Sequence, residues 1–319
     1  MATQLYEHSR ETPPKEATAD FQIVPIEQVS CRDVVAVINR AFDLNFDEHW
    51  FHWKHHDNPF GPSLGWAAVD ADGVLGIRLF MRWELRLGEQ ALHAVRPVDT
   101  ATAPQAQRRG VFRTLTSHAV AAVMADANID LIFNTPNANS RPGYARMGWT
   151  ILPPLAHGVS LVLPGKTAAL QQDEEVFAAF DAWQPVAGRL CTARSAAVMR
   201  WRYHERSGVI YGKASLRQAE MPNALIYRVV KRSGIRLLVI NELVGSPAER
   251  SLLVRSVARQ EKAVALLAAT GTGAFELGRN FHIKRGHSVV AVRPVQTAIA
   301  NATKLDGWAL TLGDLEGVL

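Results

Sequence analysis

A polar turn with one glycine, followed by a helix, is the part of this sequence best suited to chemistry. Residues 104–109 are polar and include Arg108 and Arg109, and the apolar residues after Gly110 recur at helical spacing. The first amides of a helix lack partners within the helix, and the helix dipole adds positive potential there. Gly110 has no Cβ, so its backbone can approach a ligand closely. The turn predicts an anion-binding site, and an ordinary strand–helix turn with solvated arginines is an equally good interpretation of these residues alone.

Predicted strands lie on both sides of this turn and its helix. Residues 92–102 form an alternating segment that is typical of a strand and leads into the turn. Residues 130–135 form a short apolar run with a polar end, which indicates a buried strand after the helix. Turn-forming residues occupy 136–143, and Pro142 is well placed to begin another helix. The predicted order is therefore strand, anion-binding turn, helix, strand and helix.

Two short motifs in this segment resemble those of a known family. Residues 107–112, Gln-Arg-Arg-Gly-Val-Phe, resemble the pyrophosphate loop Q/R-x-x-G-x-G/A of the GCN5-related N-acetyltransferases, or GNAT family. Gln107 and Gly110 match the first and fourth positions, whereas Phe112 stands where the family has Gly or Ala. Residues 144–149, Tyr-Ala-Arg-Met-Gly-Trp, resemble the family segment Y-x-K/R-L-G-F. The order of the elements matches that family as well.

The resemblance implies an acetyl-CoA co-substrate, no metal, and direct transfer of the acetyl group to an amine. The family tyrosine commonly serves as general acid, which assigns that role to Tyr144. Asp99 is the only carboxylate at the end of the strand that should face the thioester, so it is the leading candidate for general base. A buried or turn-capping aspartate is the alternative. The resemblance implies that the cofactor contacts Val98, Asp99, Thr100, Gln107, Arg108, Arg109, Gly110, Val111, Phe112, Asn134 and Asn139.

The acceptor site is expected near the N-terminus, because in this family the region after the first strand often builds one wall of the acceptor pocket. Residues 48–56 are predicted to be a short helix rich in aromatic residues, which points to Trp50, Trp53 and His56 as substrate residues. The alternative is that the two tryptophans pack inward and the histidines face solvent. The histidine spacing alone predicts no metal site. The expected acceptor is a small-molecule amine such as an amino sugar.

The length of 319 residues favours two domains over one. Residues 201–204, Trp-Arg-Tyr-His, parallel residues 53–56, Trp-Lys-His-His, and two shorter matches pair Gly76 with Gly234 and Arg146 with Arg285. Their common order indicates a duplicated unit. We predict an α/β (α+β mixed) fold of two tandem GNAT-like domains, each a twisted mixed sheet flanked by helices. The predicted organisation is a disordered tail at 1–19, an acetyl-CoA-binding domain at 20–163, a linker at 164–175 and a degenerate GNAT-like domain at 176–319.

The second half differs from the first at the corresponding turn. Residues 246–250, Ser-Pro-Ala-Glu-Arg, contain no glycine and no arginine cluster. Pro247 has no N–H to offer a phosphate, and Glu249 would place a negative charge against it. We therefore expect one CoA per chain, bound by the first half. Residues 307–312 are predicted to be a closing strand.

Composition limits the remaining partners. A net charge of +5 and a pI near 9.4 are compatible with a phosphorylated cofactor, but no basic run predicts a nucleic-acid partner. No apolar run approaches the length of a membrane span and no signal peptide is visible, so a cytoplasmic protein is expected. Cys31 and Cys191 are predicted to be reduced thiols, and a homodimer is possible.

Two other classes of function stay open at this point. One is an aminoacyl or peptidyl transferase, of the kind that also uses paired GNAT-like domains and would need a basic groove. The other is a non-catalytic binding protein, in which Phe112 prevents the loop from binding the cofactor.

Overall fold

The computed structural model describes residues 20–138, 140–162, 164–270, 282–285, 288–295 and 299–315. The tail predicted at 1–19 and the predicted cofactor residue Asn139 lie outside the described residues. The helices of the described part are α1 (Cys31–Phe42), α2 (Glu48–His55), α3 (Val111–Ala125), α4 (Arg141–Arg146), α5 (Ala196–Arg202), α6 (Pro247–Gln260) and α7 (Leu312–Leu315). None of these helices is long and apolar enough to cross a lipid bilayer.

The first sheet contains the strands on both sides of the anion-binding turn, as the sequence predicts. From edge to edge it runs β1 (Gln22–Pro25), β2 (Leu64–Asp70), β3 (Gly73–Leu87), β4 (Gln90–Thr102), β5 (Leu131–Asn134), β15 (Ala291–Pro294) and β6 (Thr150–Ile151), and β9 (Leu190–Thr192) pairs with β3. Strands β4 and β5 are parallel and α3 connects them. The strand predicted at residues 92–102 is confirmed as part of β4, and residues 94–98 are all buried because α1 packs on one face of the strand and α3 on the other.

The second sheet repeats this plan. From edge to edge it runs β8 (Leu170–Gln171), β10 (Gly212–Leu216), β11 (Ala224–Arg232), β12 (Ile235–Val244), β13 (Ala265–Thr270), β7 (Ala156–Leu161) and β14 (His282–Arg285). Strands β12 and β13 are parallel and are connected by α6, just as β4 and β5 are connected by α3. The two sheets with their helices confirm the mixed α/β fold of two tandem GNAT-like domains.

Each half of the chain donates one strand to the sheet of the other half. Strand β15, near the C-terminus, lies between β5 and β6 of the first sheet. Strand β7, from the first half, lies between β13 and β14 of the second sheet. The boundary predicted at residue 163 therefore does not separate the two sheets, and the predicted linker supplies β8. Hydrophobic pattern marks a strand in the sequence but does not identify its hydrogen-bonding partner.

The parallel between residues 53–56 and 201–204 corresponds to a physical contact between the two halves. The indole N–H of Trp53 donates to the carbonyl of Trp201 at 2.8 Å, and the indole N–H of Trp201 donates to the carbonyl of Trp53 at 2.7 Å. Both side chains are buried in a core to which both halves contribute. The reciprocal pair shows that the two units face each other through equivalent residues.

The closing strand predicted at residues 307–312 is wrong. Leu305–Gly307 is a 3-10 turn, Trp308 makes only an isolated bridge to Leu190, and the chain then enters α7. Trp308, Ala309 and Leu310 are all buried. The segment is apolar because it threads through the core, and burial on every side gives the same composition as a buried strand.

Candidate active site

A gap between β4 and β5 is the central feature of the first half. The two strands pair at only two positions, Ala94 with Leu131 and Val95 with Ile132. Strand β4 continues to Thr102 and β5 to Asn134, so the strands separate beyond these pairs. A parted pair of parallel strands leaves backbone N–H and C=O groups at its edges without a ladder partner, and such groups can bind a polar ligand.

A β-bulge deforms β4 where the gap opens. Leu79 pairs with Val98 and Ile77 with Ala101, so Asp99 and Thr100 together face the single residue Arg78. Asp99 has a φ of +45°, a left-handed conformation that is uncommon for a residue other than glycine. The bulge turns the Asp99 side chain toward α2 and that of Thr100 toward α4. The two faces of the gap thereby receive different polar groups.

Asp99 is held by two basic side chains on the α2 face. Lys54 Nζ lies 2.7 Å and His55 Nε2 lies 3.1 Å from the same carboxylate oxygen, Oδ2. Burial disfavours the charged carboxylate, but the Lys54 charge and the His55 hydrogen bond outweigh it and hold the pKa of Asp99 well below its usual range. His55 Nδ1 lies 2.9 Å from Ser63 Oγ. Because Asp99 is ionised, Nε2 donates to it and Nδ1 accepts from Ser63.

The same environment acts on the two basic groups. Burial lowers the pKa of Lys54 and the pKa of His55, and Asp99 opposes both changes. Within the described residues, the second carboxylate oxygen of Asp99, Oδ1, makes no hydrogen bond. The Asp99 side chain is 16% exposed, so this oxygen is the acceptor left for a ligand.

Tyr144 lies on the opposite face of the gap, in α4. Asn134 Nδ2 donates to its phenol oxygen at 2.8 Å and Arg78 Nη2 donates at 3.5 Å. Arg78 also donates to Thr100 Oγ1 at 2.5 Å. An amide NH2 group and a guanidinium can only donate, so the phenol hydrogen of Tyr144 remains available for a third group. The arrangement orients Tyr144 as a hydrogen-bond donor.

The turn that begins α3 has an uncapped helix N-terminus. Gly110 is the N-cap residue at φ +81°, and no side chain caps the first turn. A Cβ built on Gly110 would meet no atom within 4 Å, so the space in front of these amides is open. The unpaired amides, the helix dipole and the open approach fit a phosphate group.

The side chains around this turn are exposed. Gln107, Arg108 and Arg109 face solvent, and Arg109 lies 3.6 Å from Asp70. Phe112 is 48% exposed, and the Arg78 guanidinium lies 6.0 Å from its ring. The phenyl group therefore points away from the core. The backbone amide of Phe112 remains among the amides at the start of the helix. Arg78 connects the turn to the gap, because it lies near the Phe112 ring and donates to Thr100 and Tyr144.

The tryptophans of α2 do not form an open wall that an acceptor could contact. Trp50 is 5% and Trp53 is 3% exposed, and Trp50 stacks on Phe46 with ring centroids 3.9 Å apart. Inward packing, the alternative that the sequence left open, describes both tryptophans. His56 is exposed, and its role toward a substrate stays a prediction.

Three polar residues of the site were not identified from the sequence. Arg78 lies within the apolar pattern of β3, and Lys54 and His55 lie among the aromatic residues of α2. A buried charge inside an apolar segment is the signal that could have found them, because such charges are rare without a partner. His55 in particular was expected to face solvent and is 2% exposed.

Comparison with known proteins finds a family match in the first half of the chain. The family description "Acetyltransferase (GNAT) domain" matches residues 22–152. No curated protein matches the sequence. Among solved structures, the fold is similar to a probable N-acyltransferase from Enterococcus faecalis, with a TM-score of 0.65, 10% identity and coverage of 86% of this chain and 72% of that one.

Two further solved structures share the fold. A GCN5-related N-acetyltransferase from Anabaena variabilis has a TM-score of 0.63 and 11% identity over 86% of this chain and 73% of that one. Eis1 from Mycobacterium abscessus has a TM-score of 0.58 and 15% identity over 89% of this chain and 76% of that one. At these identities the likeness establishes the shared architecture alone.

Proposed function

We propose, from the premise that residues 22–152 are a GNAT acetyltransferase domain, that this chain transfers an acetyl group from acetyl-CoA to the amine of a small molecule. The observation that carries the proposal is the uncapped start of α3, which follows the strand β4 that parts from β5 with Tyr144 and Asp99 on opposite faces of the gap. The N-terminal amides of α3 and Gly110 bind the pyrophosphate, and the free edge of β4 at residues 98–100 receives the amide-rich arm.

The chemical step is direct transfer. The neutral acceptor amine attacks the thioester carbonyl carbon, a C–N bond forms, and the C–S bond breaks. A backbone amide near Val98 or Asp99 stabilises the negative charge that develops on the carbonyl oxygen. Tyr144 donates its phenol hydrogen to the departing thiolate, and Asn134 and Arg78 hold the phenol oxygen while it does so.

Asp99 receives the amine proton in this proposal. Its low pKa makes it a weak base toward a free alkylammonium ion. The nitrogen becomes far more acidic once it has bonded to the carbonyl carbon, so a weak base suffices at that stage. Oδ1 accepts the hydrogen bond from the acceptor nitrogen, while Lys54 and His55 keep Oδ2 and the carboxylate in place.

The experiment combines binding with turnover. Calorimetric titration with acetyl-CoA should show binding, and release of free CoA thiol should depend on an added amine from a panel that includes amino sugars and simple primary amines. Release without an acceptor would indicate hydrolysis. Binding without release for any amine would favour the non-catalytic interpretation, and absence of binding would remove the proposal. Donor preference follows from repeating the titration with longer acyl-CoA thioesters.

A further inference from the structure

Arg96 is a buried cation beside the gap that the proposed reaction does not use. It is 2% exposed and lies in β4, one residue past the last pair that β4 makes with β5. Its Nη2 donates to Thr135 Oγ1 at 3.3 Å and to the Asp314 carbonyl at 3.2 Å. Its Nε and Nη1 are buried and have no hydrogen-bond partner. Burial and the nearby Arg202 charge lower the pKa of Arg96 to about 10, so it is a cation at neutral pH.

A second buried cation, Arg202, lies close enough to Arg96 to lower its pKa. Arg202 is 3% exposed, donates to the Gly313 carbonyl at 2.8 Å, and leaves Nη1 without a partner. Within the described residues neither arginine forms an ion pair. The nearby carboxylates are already paired, since Asp314, whose charge raises the pKa of Arg96, binds Arg194, and Asp99 binds Lys54. An unpaired guanidinium in the interior is costly, so an anion arriving at Arg96 would be strongly favoured.

The second half shows that the fold does not require a cation here. Arg96 precedes the bulge carboxylate Asp99 by three residues, and Val239 precedes Glu242 of β12 by three residues. Arg96 lies over the rings of Trp83 and Phe133, two residues of the core that also contains Val239. An aliphatic side chain fills the corresponding position in the second sheet, so the positive charge in β4 is not explained by packing.

We propose that the acceptor is an amine that also carries a carboxylate, and that Arg96 binds this carboxylate while the amine reaches Asp99. This inference rests on the proposed acetyl transfer and names its substrate class. Three residues of extended strand span roughly 10 Å at about 3.3 Å each, and Lys54, which binds Asp99, also feels the charge of Arg96, so an amino acid or a short ω-amino acid fits the spacing. Each unpaired N–H group of Arg96 can donate to an oxygen of a carboxylate.

The test uses acceptors in matched pairs that differ by one carboxylate, such as phenylalanine with phenethylamine and lysine with cadaverine. CoA release by the full chain should give a kcat/KM roughly 10- to 100-fold higher for the carboxylate member, as expected for hydrogen bonds to a charged group. The Arg96→Met variant, which keeps the apolar stem over Trp83 and Phe133, should lose this preference by raising KM for the carboxylate member alone. Arg96→Lys should recover part of it.

Arg86→Met is the matched control, because Arg86 is a half-buried arginine of β3 that pairs with Glu84. It should leave the preference unchanged. Equal use of both members by the unaltered chain would overturn the inference, as would an equal loss for both members in Arg96→Met. If Arg96→Met does not fold, the alternative test is inhibition of the unaltered chain by 3-phenylpropionate, a carboxylate without an amine. It should compete with the acceptor and not with acetyl-CoA. Absence of CoA release with every amine would instead contradict the proposed function.

Discussion

The two helix N-termini that follow the central strands of the two sheets are built from opposite chemistry. Helix α3 begins at Gly110 with no side-chain cap and open space in front of it. Helix α6 begins with a capping box, in which Ser246 accepts from the Glu249 amide and the Glu249 carboxylate accepts from the Ser246 amide at 3.1 Å. The same strand–turn–helix geometry is therefore open to an anion in the first half and occupied by its own carboxylate in the second.

A carboxylate lies at the bulge of β4, Asp99, and another lies beside the bulge of β12, Glu242. These two residues differ in the same sense as the helix N-termini. Asp99 binds Lys54 and His55 through Oδ2 and leaves Oδ1 without a bond among the described residues. Glu242 accepts from Arg194 at 2.9 Å through Oε2, and from Tyr203 at 2.8 Å and Thr311 at 2.9 Å through Oε1.

The C-terminal segment completes this closure. Asp314 binds Arg194 at 2.9 Å, and a Cβ on Gly313 would overlap Tyr203 and Glu242. The second unit thus keeps the architecture of the first and uses both of its polar positions for internal contacts. Duplication of a fold does not duplicate its site when the partner groups are supplied from within.

The largest effect that would sharpen this comparison is expected at Tyr144. In the sequence Tyr144 precedes Gly148 by four residues and His282 precedes Gly286 by four, but Tyr144 lies in helix α4 whereas His282 begins strand β14. Tyr144→Phe should lower kcat by roughly 10²–10⁴-fold, the usual contribution of proton transfer. Acetyl-CoA affinity should hardly change, because the substitution removes one oxygen on the far side of the gap from Asp99. Steady-state kinetics and calorimetry measure the two quantities. Turnover close to that of the unaltered protein would transfer the role to water or another residue.

Gly110→Val should weaken acetyl-CoA binding at least tenfold, about 1.4 kcal/mol. The added side chain occupies the open space before the α3 amides and is strained at a φ of +81°. Gly234→Val is the control, because Gly234 has a φ of +79° and equally open surroundings in the β11–β12 turn. It carries the same backbone cost and should leave affinity intact. Equal loss of affinity in both variants would assign the effect to strain.

The comparison also predicts the number of binding events. Calorimetric titration of the full chain should give close to one acetyl-CoA per chain, because the capping box fills the α6 terminus. In Gly110→Val this single binding event should weaken in step with the loss of affinity, and no other binding event should remain. A second binding event that survives this substitution would show that the α6 turn opens, and the distinction drawn between the two halves would fail.

The smallest effect is expected on stability. Ser246→Ala should destabilise the protein by about 1 kcal/mol, the usual contribution of an N-cap, and should not create acetyl-CoA binding. Thermal or denaturant unfolding measures the change. Ser251→Ala is the control, because Ser251 lies in the same helix and bonds only to the Pro247 carbonyl.

The same capping box gives a pH dependence. The Ser246 hydrogen bond lowers the pKa of Glu249, so its contribution to stability is present above the unfolded-state pKa of about 4.5 and is lost as the pH falls through the lower pKa of the folded state. Stability should fall less steeply over this acidic range in Ser246→Ala than in the unaltered chain. Parallel curves for the two proteins would show that the box is not formed in solution.

The elements of the fold that the sequence predicts correctly are those whose pattern is local. The strand that leads into the turn, the helix that starts at Gly110 and the duplication of the unit follow from alternation, helical spacing and the Trp53–Trp201 parallel. Two other matches between the halves do not correspond in space. Gly76 lies inside β3 whereas Gly234 lies in the β11–β12 turn, and Arg146 lies in α4 whereas Arg285 ends β14. Short matches need a contact or a shared position in the sheet before they indicate equivalence.

What the sequence by itself determined is the part of the site that depends on local backbone chemistry. A glycine before a helix with no capping side chain, and a Ser-x-x-Glu before another helix, each decide the state of their own helix terminus within four residues. The tertiary structure alone decided the rest. The exchange of β7 and β15, the ion pair of Lys54 with Asp99, and the burial of Arg96 each join residues far apart in the chain. Such pairings depend on which surfaces pack together, and the local pattern of a segment is the same whatever lies against it.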